Sequence, residues 1–291
     1  MVNAAAATGS DVFSDGLPLD EDYAGPRDLT VETVLSADGT PIAYEKSGSG
    51  PPVVILGGGL NDKAMFTPLV THMSKRFTVY NYDRRGRGDS GYGDPDQYTI
   101  QVEVEDLAAV LDAVGEPSHV FANCTGGQIA ILAAAAGVPM MKLGLYEPPY
   151  WSPAVTTEQL ATLKQFIAED RRDEAVTLFG RDIVGFLSDE TLDYFKQHPA
   201  WSAFRSMAPS TYYDAIISKD HSQIPHEELP KITVPTLVMR GDEGEQEIHD
   251  SCARVADEIP GATLLTKEGY NHLFDQDAWA SSLMEFFEPS S

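Results

Sequence analysis

Hydrophobic and polar positions along this chain follow two successive patterns and then break. Thr30 to Leu35 and Ile42 to Lys46 flank Asp38-Gly39, a dipeptide suited to tight reversals, and predict an antiparallel hairpin. Short apolar runs follow at Val53 to Leu56, Phe77 to Tyr82, His119 to Asn123, Met141 to Tyr146, Thr236 to Met239 and Ala262 to Thr266. The stretches between them carry helical periodicity. Leu107, Val110, Leu111 and Val114 make one apolar stripe, with Glu103, Glu105 and Asp106 expected outside it. Further helices are expected after Thr125, near Glu245 to Ile259 and near Trp279 to Phe287. Apolar strands alternating with helices predict an α/β fold with a mostly parallel, doubly wound sheet covered on both faces.

The alternation stops between Pro148 and about Pro230. There Leu160, Leu163 and Ile167, then Val176 and Phe179, then Leu192 and Phe195 read as helices with no strand between them. This insertion carries Trp151, Trp201, Phe204, Met207, Tyr212 and Tyr213, side chains that either line a pocket or pack the insertion onto the core. The expected organisation is a flexible acidic arm over residues 1–27, a core over 28–148 and 231–291, and a helical insertion over 149–230.

Charge narrows the partners. The 291 residues include 45 acidic and 20 basic side chains, a formal net charge of −25 that repels phosphate backbones and anionic headgroups. A small-molecule substrate is expected, nucleic acid and membrane surfaces are not, and oligomeric state stays open. The opening MVNAAAATGSDVFSDG lacks a basic start and an apolar stretch, so neither signal peptide nor membrane span is expected. Cys124 and Cys252, the two cysteines, stand in unlike settings of a chain too large to need a staple, which fits reduced, cytoplasmic residence.

The sharpest chemical signal is His119-Val-Phe-Ala-Asn-Cys-Thr-Gly-Gly-Gln, a buried strand running straight into an Ala-rich helix. A nucleophile on that turn needs tiny residues two before and two after it, and Ala122 and Gly126 supply them around Cys124. Such a nucleophile needs two amide donors for a developing oxyanion. Thr125 would supply one, and Gly59, in Gly57-Gly58-Gly59-Leu60 after the first apolar run, the other. His272, in the late loop Lys267-Glu-Gly-Tyr-Asn-His272, is the histidine placed to act as base. Gly86-Arg-Gly-Asp-Ser-Gly91 matches a dinucleotide fingerprint, yet no helix follows it, and no Cys/His cluster has metal spacing. No cofactor and no metal is expected.

Taken together, Ile55-Leu-Gly-Gly-Gly, Tyr82-Asp-Arg-Arg-Gly-Arg-Gly-Asp-Ser, the turn at Cys124 and Gly-Tyr-Asn-His272 resemble the α/β-hydrolase superfamily over roughly residues 30 to 290. The resemblance implies that the insertion is a cap over the active site. It also implies hydrolysis of an ester, lactone or thioester through a nucleophile, histidine and acid. Three departures stand out: Gly57 where many members have His, Ala122 for Gly, and Cys124 for Ser. Dienelactone hydrolases and polyhydroxyalkanoate synthases are similar in carrying Cys there, so acyl transfer is an alternative, as is a lyase, cyclase or binding protein on the same fold. The acid also departs from the pattern, because Gly244 stands where most relatives have Asp. Glu147, closing the run Met141 to Tyr146 in Tyr-Glu-Pro-Pro, is the expected partner of His272, as in haloalkane dehalogenases, and Asp242 is the alternative.

Overall fold

The computed structural model describes residues 30–151, 155–185, 187–198, 201–272 and 274–289. The predicted arm over 1–27 lies outside them. Eight strands form one sheet: β1 (Val31–Leu35), β2 (Pro41–Gly48), β3 (Pro52–Leu56), β4 (Thr78–Tyr82), β5 (His119–Asn123), β6 (Leu143–Tyr146), β7 (Thr236–Gly241) and β8 (Thr263–Lys267). Their order is β1-β2-β4-β3-β5-β6-β7-β8. The pair β1 with β2 is antiparallel, as the hairpin signal predicts, β2 with β4 is antiparallel as well, and every later pair is parallel.

The helices are α1 (Thr67–Met73), α2 (Ile100–Val114), α3 (Thr125–Ala135), α4 (Thr157–Ala168), α5 (Arg172–Thr177), α6 (Asp189–Gln197), α7 (Trp201–Met207), α8 (Thr211–Asp220), α9 (Gln246–Glu258) and α10 (Gln276–Phe287). Strand side chains alternate between two cores with period two. Val54, Leu56, Val120, Ala122 and Val238 pack with residues of α2, α3 and α9, among them Leu107, Ile129 and Val255. Val53, Ile55, Phe121 and Met239 pack on the other face with α1 and α10, through Leu69, Met73, Trp279 and Leu283. The sheet is therefore doubly wound, which explains why its central strands read as unbroken apolar runs.

One expectation fails in α2. Glu103 and Asp106, expected outside the apolar stripe, are 1% and 0% exposed. Both carboxylates are held by forks from the segment after β4. Arg84 Nε and Nη2 donate to Glu103 at 2.6 Å each, and Arg85 Nε and Nη2 donate to Asp106 at 2.7 Å each. Periodicity assigns charge to solvent by default, and only a bidentate partner brought in from elsewhere makes burial tolerable.

Between β6 and β7 the described residues are helical and contain no strand. Helices α4 to α8 build a third core in which Leu163, Val176, Phe179, Leu192, Phe195 and Met207 are buried together with Leu60 and Met65 from the loop after β3. The aromatics of this insertion divide between the two roles the sequence left open. Tyr213 is buried and stacks on Tyr98 with ring centroids 4.1 Å apart, whereas Trp151, Trp201 and Phe204 line a cavity.

Candidate active site

Strand β5 ends at Asn123 and α3 begins at Thr125, leaving Cys124 alone to make the turn. It does so with φ 50° and ψ −129°. A non-glycine residue in that region costs about 1–3 kcal/mol and persists only where surrounding structure imposes it. Here the imposition is visible. The Cys124 N–H donates to Tyr146 O at 2.9 Å, and a Cβ on Gly126 would lie 2.6 Å from Gly57 O and 2.8 Å from Leu56 O. The backbone N–H groups of Thr125 and Gly59 both hydrogen-bond to the Cys124 sulfur, so the two amides singled out in the sequence converge on one point.

Among the described residues four non-glycines have positive φ, and three of them, Leu60, Cys124 and Glu147, surround this point. Glu147, at the end of β6, is fully buried. Its Oε2 lies 2.8 Å from His272 Nδ1, and its Oε1 accepts from Gly241 N–H at 2.8 Å. The carboxylate thus both orients the histidine and satisfies a backbone amide of β7, which accounts for a charge closing a buried strand. A Cβ on Gly241 would lie 1.9 Å from Tyr270 O, so only glycine lets the loop carrying His272 approach this closely. Asp242 is exposed and turned elsewhere: its Oδ1 accepts from Gly269 N–H at 2.7 Å.

With Nδ1 bonded to Glu147, the other nitrogen of His272 serves the hydrogen bond to Cys124. Burial opposes ionisation of both members. For Cys124 the positive charge and hydrogen bond of His272, with the Thr125 and Gly59 amides, outweigh burial and hold the thiol below its ordinary value. For His272 the Cys124 charge and the hydrogen bonds from Cys124 and Glu147 outweigh burial and hold the imidazole above its ordinary value. Both shifts favour a thiolate–imidazolium pair, with Glu147 behind the imidazole. The members of the pair titrate as a unit.

Behind the two amides stands a side chain that sequence reasoning missed. Arg84, 1% exposed, points Nη1 at Gly58 O (3.2 Å), Thr125 Oγ1 (3.1 Å) and Asp214 Oδ1 (3.0 Å). Gly58 O belongs to the peptide that carries the Gly59 N–H, so one guanidinium braces both amides. Asp214 comes from α8 of the insertion and also accepts from Arg87. The signal was present in Tyr82-Asp-Arg-Arg-Gly-Arg-Gly, but nothing in one sequence says which arginine turns inward. Arg84→Met would leave Glu103 and Asp214 buried and short of a partner. It is expected to cost about 3–5 kcal/mol in a urea unfolding experiment.

Cys124, His272, Thr125 and Gly59 open onto a cavity of about 350 Å³ whose insertion side is lined by Trp151, Phe179, Val184, Leu187, Phe195, Trp201 and Phe204. His272 keeps 28% of its side chain exposed, and its ring meets Trp151 edge to face at 6.0 Å. Cys252 has no such access. It lies in α9 with no exposure, and burial pushes its thiol well above the ordinary range. Iodoacetamide with peptide mapping is therefore expected to label Cys124 and leave Cys252 untouched in folded protein. Between pH 8 and pH 6 the Cys124 rate should fall less than the roughly tenfold per pH unit of an ordinary thiol. Faster labelling of Cys252 would contradict the assignment.

Among the described residues no group of three or more His, Cys, Asp or Glu is arranged to hold a metal ion, and no helix is long and apolar enough to cross a membrane. Residues 53–280 match the sequence profile described as the Alpha/beta hydrolase family. The structure is similar to that of an alpha/beta hydrolase from Sphaerobacter thermophilus, with a TM-score of 0.81 and 40% identity over 88% of this chain and 100% of that one. Curated relatives include a zearalenone hydrolase from Cladophialophora bantiana, 25% identical over 70% of this chain and 89% of its own length. Another is the N-formylmaleamate deformylase of Pseudomonas putida, 28% identical over 72% of this chain and 78% of its own length.

Proposed function

Because the chain belongs to the alpha/beta hydrolase family, we propose that it hydrolyses an ester, lactone or thioester bond of a small, largely apolar molecule through a covalent intermediate on Cys124. The observation that carries this reading is the continuous set Glu147, His272, Cys124, with two backbone amides aimed at the Cys124 sulfur. The Cys124 thiolate attacks the carbonyl carbon, a C–S bond forms, and the carbonyl π electrons move to oxygen, where Thr125 and Gly59 N–H groups receive the charge. Collapse expels the alkoxide or thiolate, which takes the proton of His272. His272, now neutral, then removes a proton from water, and the hydroxide attacks the thioester. A second collapse releases the acid and restores the thiolate and imidazolium. Glu147 holds the ring by its Nδ1–H throughout.

In this reading the insertion over 149–230 is the cap, since its aromatic side chains form the wall opposite Cys124. A thioester intermediate also suits transfer to an alcohol, amine or thiol, and Cys124 in the nucleophile's position is what favours that second reading. Esters, lactones and thioesters offered to the wild type and to Cys124→Ala test the proposal. Turnover of at least one class by the wild type, absent in the variant, is the expected result. Product appearing only when a second nucleophile is added would favour acyl transfer over hydrolysis.

A further inference from the structure

Cavity lining and charge together say more about the substrate than its apolar character. Among the described residues neither Lys nor Arg lines the cavity, and the ionisable groups there besides Cys124 and His272 are Glu243 and Glu245. Both glutamates are exposed, which sets them at the mouth. Among the described lining residues the one group able to carry positive charge, His272, is already shared between the Cys124 sulfur and Glu147. With an acidic group on either side of it, the imidazole leaves no unshared positive charge for a ligand anion. Arg84, behind the two amides, has its donors engaged by Glu103, Asp214, Thr125 and Gly58.

The neutral polar side chains of the wall add no positive charge, and several are already engaged. Asn61 accepts from Gly58 N–H and donates to Met65 Sδ. Gln276 accepts from Leu69 N–H at 3.0 Å and donates to Met65 O at 2.5 Å. Asn123, 8% exposed, carries a buried Oδ1 with no partner among the described residues, which adds an acceptor and no positive charge. A carboxylate brought into such a wall loses its hydration without gaining a counter-ion, a far larger cost than that of an uncharged group. The formal charge of −25 also slows the arrival of anions.

We infer that the site selects uncharged, aryl- or alkyl-bearing esters or lactones and rejects substrates that carry a carboxylate, an inference that rests on Cys124 being the nucleophile of this cavity. The deformylase named above acts on N-formylmaleamate, a carboxylate, so this chain would differ from that relative in substrate charge.

The test compares 4-nitrophenyl hexanoate with mono-4-nitrophenyl adipate, which differ by a terminal carboxylate. The expected kcat/KM ratio is at least about a hundredfold in favour of the hexanoate, carried mainly by KM. Glu243→Gln with Glu245→Gln should narrow it several-fold at low salt. A ratio near one, or reversed, overturns the inference. A second arm works without turnover: the tryptophan fluorescence of Cys124→Ala, with Trp151 and Trp201 in the wall, is titrated with methyl hexanoate and with monomethyl adipate. Tighter binding of methyl hexanoate supports the inference, and if neither nitrophenyl ester is then turned over by the wild type, only the hydrolase reading falls. Equal binding, or binding of neither, overturns the inference itself.

Discussion

Replacing His272 with Ala is expected to lower turnover of any accepted ester at least about a hundredfold, the usual scale for losing a general base, with circular dichroism unchanged. The imidazole has three tasks in this arrangement: its charge keeps Cys124 ionised, its proton goes to the leaving group, and its neutral form activates water. In the wild type, activity rises with pH as the pair loses the proton of Cys124, whose value lies below that of an ordinary thiol. It falls as His272 loses the proton it must deliver, and His272 titrates above an ordinary imidazole. Both limbs therefore move outward, giving a broad plateau, and in His272→Ala the alkaline limb should vanish while the acid limb moves to higher pH as Cys124 loses its cationic partner. A near wild-type rate in that variant would end the account of His272 as base.

Glu147→Gln is expected to reduce turnover by at least about a hundredfold, while Asp242→Asn leaves it within a few-fold of wild type. The side-chain amide that replaces the Glu147 carboxylate can still accept from Gly241 N–H, so the β6–β7 junction keeps its contact while the charge behind His272 is lost. Its NH₂ group can also turn toward Nδ1 and select the wrong tautomer, which places a hydrogen on the nitrogen that must serve Cys124. Asp242 accepts from Gly269 N–H through Oδ1 and donates its own N–H to Lys267 O, contacts at the start of the His272 loop and not at the imidazole. A large loss of turnover confined to Asp242→Asn would show that the other carboxylate serves the histidine.

Much of this arrangement is legible in the sequence, for identifiable reasons. The central strands announce themselves because a parallel sheet buried on both faces demands unbroken apolar runs such as Val53 to Leu56. The turn at Cys124 is legible because its strained φ forces small residues at 122 and 126. The contact between Glu147 and His272 is reached through the absence of an Asp at 244, a gap in the expected chemistry and no direct signal of proximity. What fails is the environment of charge. Nothing local to α2 marks Glu103 and Asp106 as buried, because their partners, Arg84 and Arg85, arrive from a segment about twenty residues earlier. The brace of Arg84 on the Gly58 and Thr125 segments escapes for the same reason, since it joins four separate parts of the chain.

Intact mass spectrometry after acid quench, seconds after mixing with an activated ester such as 4-nitrophenyl hexanoate, tests the central claim most directly. The account predicts an adduct of one acyl group on the wild type, mapped to the peptide containing Cys124, accumulating in His272→Ala if any forms there and absent in Cys124→Ala. Release of 4-nitrophenol with no adduct, or an adduct of the same mass that persists in Cys124→Ala, would contradict it.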